Sequence, residues 1–87
     1  MKIKYHKKFE KQFKKLSEKT KEKTIEVIKL FISDPNNKKL LNHALKGALE
    51  GKRAISINID LRIIFEEFDN YTFIIFLDLG THDRVYK

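Results

Sequence analysis

The sequence predicts an α+β fold: two N-terminal helices packed on one face of a small antiparallel β-sheet. Two observations carry this prediction. Apolar residues recur every three or four positions as far as Ile32, then every second position from Ile55, which is the change from helical to strand spacing. Turn-forming residues also punctuate the periodic segments, at Ser33-Asp34-Pro35-Asn36-Asn37, at Gly47 and Gly51, and at Asp69-Asn70.

Each element follows from its local pattern. Lys2 to His6 alternates apolar and polar residues, as a short strand does, and is a candidate to join the sheet edge. From Lys7 onward, Phe9, Phe13 and Leu16 fall at i, i+4 and i+7 and share one helix face, with lysines on the others. A second helix places Ile25, Ile28 and Ile32 on its apolar face, flanked by Val27 and Phe31, and ends at the Pro35 turn. Leu40 to Gly51 reads as a loop or short helical turn. Ile55, Ile57, Ile59, Leu61, Ile63 and Phe65 then alternate with Ala54, Ser56, Asn58, Asp60, Arg62 and Ile64. That run is too long for one ordinary strand, so a tight turn is expected near Asn58 to Asp60. Thr72 to Leu79 is almost wholly apolar and reads as a central strand buried on both faces, completing a three-stranded meander.

Composition narrows the function. Eighty-seven residues allow one domain, 1–87, and 29 of them are Ile, Leu, Val or Phe, well above the roughly 20% below which disorder is expected. The net charge of +7 is confined to the first 23 residues, which hold ten Lys and three Glu, while the remainder balances nine basic against nine acidic residues. Such a segment suits nucleic acid, an acidic protein or an anionic lipid surface, and equally a solvated lysine face. There is no Cys, hence no disulfide, thiolate nucleophile or Cys-based zinc site. His6, His43 and His82 lack metal-ligand spacing, so neither a metal nor another cofactor is expected. The longest apolar run, Phe73 to Leu77, falls far short of the ~20 residues of a membrane span. No apolar segment follows the basic start, so no signal peptide and a cytoplasmic location are expected.

Four places hold groups capable of chemistry: His43 with Lys46, Lys52-Arg53, Asp60-Leu61-Arg62, and Gly80-Thr81-His82-Asp83-Arg84-Val85-Tyr86. Each has a plain structural explanation. A loop histidine is usually a surface residue, Asp60 and Arg62 can form an exposed ion pair worth ~0–1 kcal/mol, and Tyr86 can simply cover the core. If the strands are adjacent, however, these groups converge, and together they suit RNA cleavage. RNA supplies its own nucleophile, the 2′-OH, so the protein needs a base, an acid and cations against the charge developing on phosphorus. Imidazoles serve the proton transfers, Arg the phosphate, and an aromatic such as Tyr86 a splayed base.

The order Asn42-His43-Ala44-Leu45-Lys46-Gly47, Gly51-Lys52-Arg53, Asp60-Leu61-Arg62-Ile63-Ile64-Phe65 and Gly80-Thr81-His82-Asp83-Arg84-Val85-Tyr86 resembles the RelE/StbE superfamily of type II toxins, and within it the YafQ-like branch. The resemblance implies a RelE-like fold and a metal-independent endoribonuclease that cleaves mRNA on the ribosome and is neutralised by a cognate antitoxin in a hetero-oligomeric complex. It also implies catalytic positions at His43, Asp60, His82 and Tyr86. Lys46, Lys52, Arg53, Arg62 and Arg84 are then candidates for binding phosphate. The preferred assignment makes His82 the general acid and His43 the base, with the reverse as the alternative. Ala54 and Ser56 stand where YafQ-like members often carry an acid and a His, and Leu61 where some carry a Trp. Two other readings share the fold: a non-enzymatic binder like the ParE gyrase poisons, and a degenerate, weakly active toxin. The Lys-rich start is expected to dock on ribosomal RNA through phosphate contacts.

Overall fold

A computed structural model describes residues 1–86. The chain runs β1 (Lys2–Tyr5), α1 (Lys7–Lys14), α2 (Glu18–Ser33), β2 (His43–Ala44), β3 (Arg53–Ser56), β4 (Leu61–Phe68), β5 (Phe73–Thr81) and α3 (His82–Val85), with single 3₁₀ turns at Lys38–Leu40 and Gly47–Leu49. The strands form one sheet in the order β1-β5-β4-β3-β2. The expected meander is β3-β4-β5, antiparallel throughout. The N-terminal strand does join it, parallel to β5, with Lys2 opposite Phe73 and Tyr5 opposite Phe76. Exposed Lys2 and Lys4 on this edge strand discourage further strand addition.

The fifth strand is a correction to the sequence reading. His43 and Ala44, expected in a loop or helical turn, pair with Ala54 and Arg53 at the opposite edge. A two-residue strand has too few residues to show a period, so only its partner reveals it.

Side-chain and backbone contacts mark the helix boundaries. His6 caps α1 by accepting the Lys8 N–H on Nδ1, at 3.1 Å, and Ser17 Oγ caps α2 by accepting the Thr20 N–H at 3.2 Å. Both helices cover one face of the sheet. Phe9, Val27 and Phe31 meet Ile55, Ile63, Phe65, Ile74, Phe76 and Leu79 in the main core. Phe31 lies edge-on to Phe65 with ring centroids 5.0 Å apart, and tilted against Phe76 at 5.8 Å.

The buried face of α2 differs from the expected one. Thr24, Val27 and Phe31 are buried, whereas Ile25 and Ile32 are exposed and Ile28 is half-buried. Apolar residues nearly encircle this helix between Ile25 and Ile32, so spacing alone could not choose the face. Phe31, the largest of them, fills the space over β4 and β5. Thr24 is accommodated because its hydroxyl donates to the Thr20 carbonyl at 2.8 Å.

The turn after β3 falls where expected. Asn58 Oδ1 accepts the N–H groups of Asp60 and Leu61, both at 2.9 Å, which closes an Asx-type turn. This turn interrupts the alternation, and Ile59 is 97% exposed at its tip instead of lying on the core face with Ile57 and Ile63. At the next turn Asp69, Asn70 and Tyr71 all have positive φ. The strain at Tyr71 is offset by the Glu67 carboxylate, which accepts its N–H at 2.9 Å, and by packing of its ring on Phe31 and Phe65.

Strand β5 is buried asymmetrically rather than equally on both faces. Ile74, Phe76 and Leu79 are fully buried on the helix side, while Phe73, Ile75 and Leu77 are half-buried. Ile64 pairs with Asp78 but Phe65 with Phe76, so Leu77 is the extra residue of a β-bulge. Phe31→Ala should lower stability by about 3–5 kcal/mol, whereas Ile59→Ser should change it by no more than about 0.5 kcal/mol. Urea midpoints measure both, and a large loss for Ile59→Ser would contradict its place at the turn tip.

Candidate active site

The sheet face opposite the helices carries the candidate site. Residues paired across antiparallel strands share a face, so the pairs His43–Ala54, Ala54–Ile64, Ser56–Arg62, Ile64–Asp78 and Arg62–Gly80 define it. A small cluster of Ala54, Ile64 and Val85, with Leu45, Leu77 and Tyr86 against it, forms the floor. Thr81 Oγ1 accepts the Arg84 N–H at 3.4 Å and starts α3, which returns the chain over this face.

Tyr86 is the meeting point. Its ring stands edge-on to His82 with centroids 4.4 Å apart, and it lines a cleft of about 180 Å³ together with His43 and Lys46. Its hydroxyl is buried without a hydrogen-bond partner among the described residues. Burial pushes the phenol above its ordinary value of 10.0, while the neighbouring Arg62 guanidinium pulls the other way. Tyr86 is therefore neutral at physiological pH and cannot act there as a base.

His43 has a defined tautomer. Its Nδ1 lies 2.8 Å from the Leu41 carbonyl. A carbonyl only accepts, so Nδ1 carries the proton and Nε2 of the neutral ring keeps its lone pair. His82 Nδ1 lies 3.7 Å from the Asp83 carboxylate, a counter-charge for an imidazolium. Arg62 is steered by donating from Nη1 to the carbonyls of Asn58 at 2.8 Å and Leu61 at 3.1 Å. Asp60 reaches the site through its main chain, where its carbonyl accepts the His82 N–H at 3.0 Å. Its carboxylate is exposed and forms no ion pair with Arg62 among the described residues.

Lys52 and Arg84 line an adjoining cleft. Arg53 does not come to this face. It pairs with Phe65, on the helix side, and its Nε donates to Asn42 Oδ1 at 2.9 Å. Asn42 in turn donates to the Pro35 carbonyl and the Tyr71 hydroxyl. Arg53 thus braces the segment that carries His43 rather than facing a substrate there.

Sequence reasoning missed Asp78, Lys8 and His6. Asp78 is 8% exposed; its carboxylate binds Arg84 Nη2 at 2.6 Å and Lys8 Nζ at 3.3 Å. A lone acid within an apolar strand was the available signal. Among the described residues no group of three or more His, Cys, Asp or Glu is placed to hold a metal ion, and no helix is long and apolar enough to cross a membrane.

The five-stranded sheet with helices on one face and a polar cleft on the other is the fold of RelE-like toxins. YafQ from E. coli strain BL21(DE3) superposes with a TM-score of 0.81 at 22% identity, covering 98% of this chain and 97% of that one. The YoeB/ParE toxin from Agrobacterium tumefaciens gives 0.78 at 15% identity, with 94% and 99% covered. The archaeal RelE–RelB complex from Pyrococcus horikoshii OT3 gives 0.76 at 21% identity, with 95% and 96% covered. No curated protein sequence matches the chain. The family model for YafQ, a bacterial toxin of type II toxin–antitoxin systems, matches residues 1–87, and the chain belongs to that family.

Tyr86→Phe tests the buried hydroxyl. Because the folded-state phenol titrates above the unfolded one, its contribution is fully present below the ordinary tyrosine value and is lost as pH rises through the raised value. The variant should match or exceed the wild type at neutral pH, by up to about 1 kcal/mol, because it removes an unpaired buried group. It should also lose less stability than the wild type above the ordinary tyrosine value. Urea midpoints at the two pH values read this out; a clear loss at neutral pH would show that the hydroxyl makes a stabilising bond.

Proposed function

We propose that this toxin is a metal-independent, ribosome-dependent mRNA endoribonuclease. The observation that carries the reading is the convergence on Tyr86: its ring touches His82, shares a cleft with His43 and Lys46, and has Arg62 beside its hydroxyl. His43 Nε2 takes the proton of a 2′-OH, and the oxygen attacks the adjacent phosphorus. The bond from phosphorus to the 5′ oxygen breaks, and His82 delivers a proton to that oxygen, leaving a 2′,3′-cyclic phosphate and a 5′-OH. Arg62 and Lys46 oppose the charge on the phosphorane, and Tyr86 keeps the His82 ring in place. Asp60 holds the turn against His82. The exposed lysines of α1 are the docking surface for ribosomal RNA, through contacts that carry no sequence information.

A cognate antitoxin is the proposed protein partner. E. coli YafQ has been solved in complex with DinJ, and the archaeal relative with RelB. An acidic or amphipathic segment laid on the lysine-rich helices would fit the charge on this chain, in which case its affinity falls with salt.

His82→Ala and His43→Ala should each reduce cleavage by about 10²–10⁴-fold with the fold retained. Primer extension on a translated mRNA and circular dichroism measure the two properties. Undiminished cleavage in both variants would overturn the acid–base assignment. A gyrase supercoiling assay should be unaffected by the wild type; inhibition there would favour the ParE-like reading instead.

A further inference from the structure

A second cleft, of about 300 Å³, adjoins the one that holds His43 and Tyr86, and Leu49 lines both. It gathers cations from three distant parts of the chain: Lys8 in the first turn of α1, Lys52 immediately before β3, and Arg84 in α3, with His6 beside them. The acid–base chemistry proposed above uses none of these four groups, and Lys8 is the one lysine of α1 that lines this cleft.

Asp78 organises the cleft. Its Oδ1 accepts from Arg84 Nη2 at 2.6 Å and from the Leu79 N–H at 2.8 Å, and its Oδ2 faces Lys8 Nζ at 3.3 Å. With both oxygens engaged and only 12% of the side chain exposed, it is a fixed counter-ion and not a free ligand. It holds side by side two cations that would otherwise repel. Three positive charges against one negative still leave the cleft cationic. The Lys8 side chain is 56% exposed and that of Arg84 38%, so both retain an open side. The two side-chain hydrogen bonds of Arg84 among the described residues use Nη2 alone, which leaves Nη1 available to an incoming anion.

We propose that this cleft is a phosphate subsite for single-stranded RNA, binding the backbone of nucleotides next to the one held at the His43–Tyr86 cleft. The identity of the chain as RNA rests on the ribonuclease reading. Three features favour a nucleotide over an acidic peptide. The cleft adjoins, across Leu49, one that holds an imidazole and an aromatic ring. Its floor of Ile64, Leu77 and Val85 offers apolar surface for a ribose or base beside the cations. Its volume lies at the small end of the range of ligand pockets, about 300–1,000 Å³. Lys8, Lys52 and Arg84 would act as positioning residues.

Fluorescence anisotropy with a short, labelled 2′-O-methyl RNA tests the proposal, because that RNA cannot be cut through its 2′ oxygen. The wild type should bind at low salt, and its affinity should fall linearly on a log–log plot against salt. Lys8→Ala and Lys52→Ala should each weaken binding severalfold and reduce the slope by about 0.7, the value of one phosphate contact on a single strand. Lys39→Ala, in a separate hollow beside α2, should leave both unchanged. No binding by the wild type, unchanged slopes in the cleft variants, or an equal effect of Lys39→Ala would each overturn the subsite. Competition by polyglutamate as effective as that by unlabelled RNA, at equal charge, would assign the cleft to an acidic protein instead. The measurement is independent of cleavage: failure of the His82→Ala test would leave these slopes standing, and failure of the slopes would leave the His82 chemistry standing.

Discussion

Strand β5 is apolar from Phe73 to Leu79 except at Asp78, and a carboxylate in that position has to be paired. An unpaired charge there would cost several kcal/mol. Its partners come from elements far apart in the chain, Lys8 at the start of α1 and Arg84 in α3. One ion-pair network therefore ties the helical layer to the segment that folds back over the other face. Gly80 completes it, because a side chain there would collide with the Arg84 guanidinium. The glycine of Gly-Thr-His makes room for this close approach of Arg84, and its backbone conformation makes no demand for glycine.

The two faces of the sheet are unequally covered, and the site depends on the difference. On the helix side, Phe31, Phe65, Phe76 and Tyr71 form a continuous aromatic cluster. On the other side the buried apolar residues are Ala54, Ile64 and Val85, too little to fill the space between β2, α3 and the sheet. Clefts remain there by default, lined by Asp78 and His43 from the strands and by polar residues of the adjoining helices and connections. The bulge at Leu77 turns Leu77 and Asp78 toward the same cleft, so an apolar floor and its buried counter-ion lie next to each other.

Most of the fold was legible because it rests on periodicity: both helices, the meander and its two turns follow from spacing and from Asn58, Asp69 and Asn70. What was not legible rests on contacts without a period. The face of α2 was settled by which ring, Phe31, fits over the sheet, and Ile59 left the core pattern because the Asn58 side chain closes the turn around it. The gathering of His43, His82, Arg62 and Tyr86 could be anticipated from strand adjacency alone. Arg53 could not be separated from that group by sequence, since its face is fixed by the register of β3 against β4 and by Asn42. Lys8 gave no signal as one of ten lysines in the first 23 residues. Only its buried partner distinguishes it.

The parallel pairing of β1 with β5 has a consequence for how the chain assembles. Lys2 lies opposite Phe73, so the first strand waits for a partner made some seventy residues later. The first helix waits as well, because Phe9 packs on Phe76. During synthesis the early lysine-rich segment emerges long before its partner strand β5 has been made. His82 to Tyr86 follow β5 directly, so α3 can fold back over the cleft as soon as β5 has been made. The last strand needed to complete the sheet is thus followed within a few residues by the last groups that line the cleft.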